Sequence, residues 1–101
     1  MLYQALLWHQ HQPVYKDLGA LLAKGSYIHP WVRLHAIRDY YSMAALVAGY
    51  PHVHLTINLT PVLLWQLEDY LYHGATDRAL ELTLTPAEEL TATQHEVVVR
   101  D

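Results

Sequence analysis

The sequence predicts an α/β chain in the order strand, helix, strand, helix, helix, with the two strands parallel. Three observations carry this. An apolar run, Tyr3-Gln4-Ala5-Leu6-Leu7-Trp8, ends at a polar cluster and a proline. Residues 53–59, Val-His-Leu-Thr-Ile-Asn-Leu, alternate strictly between apolar and polar. Each stretch is followed by a helix-length segment that starts at a proline, Pro30 or Pro61. A βαβα order of this kind calls for a parallel pair joined by a right-handed crossover.

Residues 3–9 read as the first strand, apolar almost throughout, as a parallel strand covered on both faces should be. Residues 10–29 read as a long loop with Pro13, Gly19, Gly25 and Ser26. Its apolar piece, Leu18 to Ala23, suits one or two helical turns. Loops of this length inside a compact unit are often functional. Pro30 opens a helix from Trp31 to about Ala48, with Val32, Ala36, Tyr40, Met43 and Val47 on one stripe. Gly49 is placed to end it, and Pro51 blocks continuation.

In the second strand, 53–59, Val53, Leu55, Ile57 and Leu59 share one face, and His54, Thr56 and Asn58 the other. Thr60 then stands as N-cap and Pro61 at the first helical position. That helix should reach Tyr72 or His73 and stop at Gly74. It is apolar nearly all round, through Val62, Leu63, Leu64, Trp65, Leu67 and Leu71, so it expects cover on more than one side. Thr85-Pro86-Ala87-Glu88 has the same start signal with the form of a capping box, and the remainder reads as helix.

A chain of 101 residues is at most one small domain, taken here as 1–101. It is 52% hydrophobic and 16% charged, against about 25% for charged residues in ordinary domains. That interior-rich composition fits a piece of a larger protein, and two strands alone do not make a stable sheet. Further strands are expected from a remainder of the polypeptide, for instance in an adjacent reading frame, or from another chain. The net charge of −4 gives no electrostatic footprint for nucleic acid. No cysteine is present, which excludes disulfides and thiolate metal sites. No apolar run approaches the roughly 20 residues that span a bilayer, and no secretion signal is evident. A cytoplasmic protein that contacts neither membrane nor nucleic acid is the expectation.

The candidate site starts at His9-Gln10-His11-Gln12-Pro13, where the first strand ends. Ligands in open α/β sheets and α/β barrels bind at that end of the strands. Residues two apart in an extended segment point the same way, so His9 and His11 form a pair. The pair can hydrogen-bond a polar substrate, ligate a divalent metal, or stay structural. Metal binding normally needs three or more ligands, and the motif holds no carboxylate. His29, His35, His52 and His54 match no zinc spacing, and His52 and His54 read as surface residues. Asn58, at the end of the second strand, either meets a sugar hydroxyl or caps the next helix. Trp31 and His35 share a helix face at i, i+4. Trp31 either stacks on a sugar ring or fills the core. Glu68-Asp69 reads as a solvated helix edge and Glu88-Glu89 as dipole-favoured residues of a first turn. No convincing pair of catalytic carboxylates is visible.

The histidine motif resembles the first motif of glycoside hydrolase family 57, His-x-His-x-Pro behind an apolar strand. Pro30-Trp31-Val32-Arg33-Leu34-His35-Ala36-Ile37-Arg38-Asp39-Tyr40-Tyr41 is similar to the segment that follows in amylopullulanase-like and α-amylase-like members. Thr56-Ile57-Asn58-Leu59-Thr60-Pro61 and Gln66-Leu67-Glu68-Asp69-Tyr70 look like the next strand and helix. Leu84 to Leu90 also fits, so the resemblance covers essentially the whole chain. It implies a βαβα portion of an incomplete (β/α)7 barrel with parallel strands, acting on α-glucans. It implies a retaining mechanism with a glutamate nucleophile and an aspartate acid/base, with no cofactor and no metal. His9 and His11 would line the sugar site, joined by Trp31, His35 and Asn58 as substrate-binding residues. The motifs that carry the nucleophile and the acid have no counterpart in this sequence, so the chain is expected to be an inactive N-terminal fragment. Two alternatives are a metal-dependent hydrolase with His9 and His11 as ligands, and a non-catalytic remnant that binds carbohydrate or a partner.

Overall fold

A computed structural model describes residues 1–20 and 26–100. Strand β1 is Leu7–Gln10 and strand β3 is Thr56–Leu59, and they pair in parallel as the sequence predicts. The register sets Leu7 against Thr56, Trp8 against Ile57, His9 against Asn58 and Gln10 against Leu59. A second, shorter parallel pair was not foreseen: β2, Ser26–Tyr27, lies beside β4, Thr76–Asp77. The loop between β1 and β2 holds a 3-10 turn at Leu18–Ala20 and folds back through a Lys16–Tyr27 bridge. The rest of the apolar piece expected to be helical, Leu21 to Ala23, lies outside the described residues.

The first predicted helix is present as α1, Trp31–His35, a wider π segment, Ala36–Tyr40, and α2, Tyr41–Ala48. Its predicted stripe is its less exposed face: Val32 is buried and Ala36, Tyr40, Met43 and Val47 are half-buried. Helix α3 is Pro61–Tyr72, as predicted. It is followed by α4, Arg78–Leu84, a 3-10 turn, Ala87–Glu89, and α5, Ala92–Arg100. Gly74 stops α3 at φ 66°, the left-handed region that L residues avoid. A Cβ there would meet no atom within 4 Å, so only conformation opposes a side chain. Gly74→Ala is therefore expected to lower stability by about 1 kcal/mol, read as a reduced urea midpoint.

Several expectations are corrected. The first strand is neither as long nor as buried as 3–9 suggested: Leu7 is 63% exposed and residues 1–6 are exposed without regular structure. Among the described residues no third strand covers the β1–β3 pair. The second strand shrinks from 53–59 to 56–59 for the same reason, and Val53 is exposed. Thr60 precedes α3, but its hydroxyl caps nothing and is buried without a partner. The Thr85–Glu88 capping box does not form. The Thr85 hydroxyl donates to the Glu81 carbonyl, and the backbone leaves the short 3-10 turn extended at Leu90. The working caps are Asp77 on α4 and a reciprocal pair before α5, in which the Thr91 N–H donates to the Gln94 side chain and the Gln94 N–H to the Thr91 hydroxyl.

The radius of gyration is 17.7 Å, against about 13 Å for a compact domain of 100 residues. Among the described residues, those with no exposed surface are Tyr27, Val32, Leu63, Gln66 and Asp77. Two of these five are polar, so hydrogen bonds as well as apolar contact fix where the loop sits.

Candidate functional site at the carboxyl end of the parallel strands

His9 closes on Asn58 across the β1–β3 ladder, at the carboxyl end of both strands. His11 lies one step further on, and its ring runs parallel to that of His9, with centroids 6.0 Å apart and planes 8° apart. Both imidazoles and the Asn58 side chain are exposed, and Gln10 between the histidines is buried. Alternation explains this: Gln10 turns inward, where its amide contacts Met43 Sδ on α2. The strand thus packs through one amide and presents two imidazoles outward. The expectation that His52 and His54 are surface groups agrees with their exposure.

Trp31 and His35 stand together as their spacing predicts, with ring centroids 6.0 Å apart. Trp31 is 44% exposed, so it does not fill the core. His35 Nδ1 donates to Asp39 Oδ2 at 2.5 Å, and Arg38 Nε donates to the other oxygen at 3.0 Å. The His35 hydrogen bond first, and Arg38 second, hold the Asp39 carboxyl below its ordinary range. The His35 ring also lies 6.3 Å from that of Tyr40. Tyr40 in turn accepts a hydrogen bond from Gln12 Nε2 at 3.0 Å. The helix group, Trp31 and His35, is thereby tied to the strand-end group, His9, His11 and Asn58, through Tyr40 and Gln12. Trp31 also borders a groove of about 960 Å³ with Arg78, Leu82 and Val97.

Behind this edge lies a buried polar layer that local spacing did not reveal. Asp69, read from sequence as solvated, is buried. Its Oδ2 accepts from Lys16 Nζ at 2.6 Å and from the Tyr27 hydroxyl at 3.0 Å, and its Oδ1 faces His73 Nδ1 at 3.2 Å. Burial alone would raise the Asp69 carboxyl; the bonds from Lys16, Tyr27 and His73 outweigh it and hold the group below its ordinary value. Asp77 is fully buried and takes a forked contact from Arg33, Nε to Oδ2 at 2.5 Å and the terminal nitrogen to Oδ1 at 3.0 Å. The Leu80 N–H and the Tyr70 hydroxyl complete its shell. Burial opposes ionisation here too, and the Arg33 and Leu80 bonds overcome it. The Tyr27 and Tyr70 rings meet at 4.7 Å and link the two carboxylates. Burial, then the bond to Asp69, pushes the Tyr27 phenol up.

These carboxylates are committed to cations and phenols within the fold. Residues 11–16 and 60–67, which follow β1 and β3, contain no Asp or Glu. Among the described residues, no three His, Asp or Glu side chains gather in a way that would hold a metal ion.

Two imidazoles and an amide stand at the carboxyl edge of the parallel strands, the edge at which ligands bind in open α/β sheets. Residues 5–98 match the family model of glycosyl hydrolase family 57, and the chain belongs to that family. It is a glycoside hydrolase domain with an α/β chain of parallel strands and helices. Neither the curated proteins nor the solved structures gave a match to it. No helix among the described residues is long and apolar enough to cross a membrane.

Proposed function

We propose that the chain is the N-terminal part of a retaining glycoside hydrolase acting on α-glucans, in the amylase, pullulanase or glucanotransferase range. Its βαβα unit is a portion of an incomplete (β/α)7 barrel, and residues 1–101 contribute part of the sugar pocket. His9, His11 and Asn58 supply hydrogen bonds to sugar hydroxyls, with Trp31 and His35 on the adjoining helix. The observation that carries this reading is the register of His9 against Asn58, with His11 stacked outward beside them. Exposed imidazoles and an amide can both donate and accept, which suits a hydroxyl-rich ligand.

The isolated chain is proposed to be catalytically silent. Retention needs two carboxyl groups about 5–5.5 Å apart flanking the scissile bond. At this edge residues 11–16 and 60–67 hold none, Asp39 is bonded to His35 and Arg38, and Asp69 and Asp77 are tied up in the buried layer. The reactive acids then come from the rest of the barrel, in this polypeptide or in a neighbouring frame, and no cofactor or metal takes part. The metal-hydrolase alternative has no ligand cluster to support it among the described residues. Pure 101-residue protein incubated with soluble starch and maltooligosaccharides is expected to release no reducing sugar. Clear turnover by that protein would overturn the proposal.

A further inference from the structure

Gln66 has no exposed surface, although it lies on a helix whose neighbouring Trp65 is half open to solvent. Its amide is fully used. Oε1 accepts from the Tyr15 N–H at 2.9 Å, and Nε2 donates to the Pro13 carbonyl at 2.9 Å and to the Val62 carbonyl at 3.2 Å. One side chain on α3 therefore takes both a carbonyl and an N–H of the peptide segment that follows His11. Pro13 has no N–H, and Tyr15 sits outside any strand, so past Gln10 the ladder gives way to this contact, joined by the Ile28 N–H on the Tyr15 carbonyl. Lys16 extends the same attachment: it reaches Asp69, three residues along α3 from Gln66, and lies over the Trp65 ring at 5.2 Å.

We infer that Gln66 is the positioning residue of the histidine pair: it clamps the Pro13–Tyr15 backbone and thereby holds His11 stacked on His9 at the strand edge. An amide is the right group. It alone among uncharged side chains offers an acceptor and two donors at once, and a buried polar side chain left half-bonded would be costly. A methionine of similar length would fill the space and leave the Tyr15 N–H and the Pro13 carbonyl unpaired. Gln66 touches no substrate; it acts through the backbone. Only the last consequence, an effect on sugar binding, rests on the α-glucan reading above.

The test uses the full chain, with Gln66→Met and Gln66→Glu variants, followed by amide hydrogen exchange and proton NMR. In the parent protein the Tyr15 amide should exchange about tenfold or more slowly than in a free peptide, and a cross-relaxation contact should join the His9 and His11 rings. In Gln66→Met the Tyr15 protection and the ring contact should both vanish while the amides of α3 stay protected. Gln66→Glu keeps the acceptor for Tyr15 and should retain more of that protection than Gln66→Met. A Gln66→Met protein that folds with the ring contact intact overturns the inference, because Gln66 would then be structural only. So does a parent protein whose Tyr15 amide exchanges at the free-peptide rate, a result that needs no variant to fold. Maltohexaose binding separates the two proposals. If the parent protein binds it and Gln66→Met binds about tenfold more weakly, both stand. If the parent protein fails to bind it while the ring contact still depends on Gln66, the sugar reading falls and the positioning role survives.

Discussion

Asp77→Ala is expected to remove the cooperative urea transition of this chain at neutral pH. The substitution strands the Arg33 guanidinium, deletes the cap that holds the Leu80 N–H and frees the Tyr70 hydroxyl. Breaking a buried ion pair by removing one partner costs about 3–5 kcal/mol, and losing a helix cap adds about 1 kcal/mol. Small domains have roughly 5–15 kcal/mol in total. A chain with a radius of gyration of 17.7 Å and so much apolar surface open belongs at the low end. Asp77→Asn keeps an acceptor for Leu80 and for Arg33, so its loss should be the smaller of the two. Circular dichroism across a urea series checks both, and an Asp77→Ala midpoint equal to that of the parent protein would show that this cluster does not hold the fold.

Asp69→Ala is the second large effect, and it carries a pH signature. Lys16 and the buried Tyr27 hydroxyl lose their shared acceptor and with it their polar tie to α3, while Gln66 still holds Pro13 and Tyr15. The cost should again be about 3–5 kcal/mol at neutral pH, reduced to the extent that water reaches Lys16. The Asp69 and Asp77 carboxyls are both held below their ordinary value in the fold. A depressed folded value means that the ionised form is favoured by folding. The stabilisation is complete above the unfolded value of about 3.9 and drains away as pH falls through the folded value. The urea midpoint should therefore be flat from neutral pH to about pH 5 and then drop steeply on further acidification. Asp69→Asn should start lower at neutral pH and lose less on acidification. Parallel acid profiles for the two proteins would contradict the assignment.

The parts of the fold that local chemistry specifies were readable in the sequence. Thr60-Pro61 and Gly74 bracket α3, and alternation over 53–59 marks β3 even though only its last residues pair. The placement of Asn58 beside His9 follows once the strands are taken as parallel. The polar layer was not readable. Lys16 and Asp69 are 53 positions apart and Arg33 and Asp77 are 44 apart, so no periodicity links them. Asp69 sits next to exposed Glu68, and only the packing of Tyr27 and the loop on α3 distinguishes the two. Gln66 lies in a segment that matches the family pattern, but its partners are backbone atoms, which leave no trace in side-chain spacing. Two of the Thr-x-x-Glu/Gln patterns show the limit of a motif. Thr91–Gln94 caps α5, and Thr85–Glu88 does not, because the chain turns out of its short 3-10 segment before a helix can grow.

The central claim is that the edge formed by His9, His11 and Asn58 faces carbohydrate. Titrating the labelled 101-residue chain with maltohexaose tests it most directly, because His52 and His54 are exposed imidazoles just before the amino end of β3 and serve as controls. The account predicts saturable shifts at the His9, His11 and Asn58 side-chain resonances, with His52 and His54 unmoved. Shifts spread equally over all four histidines, or none at the strand-end pair, would contradict it.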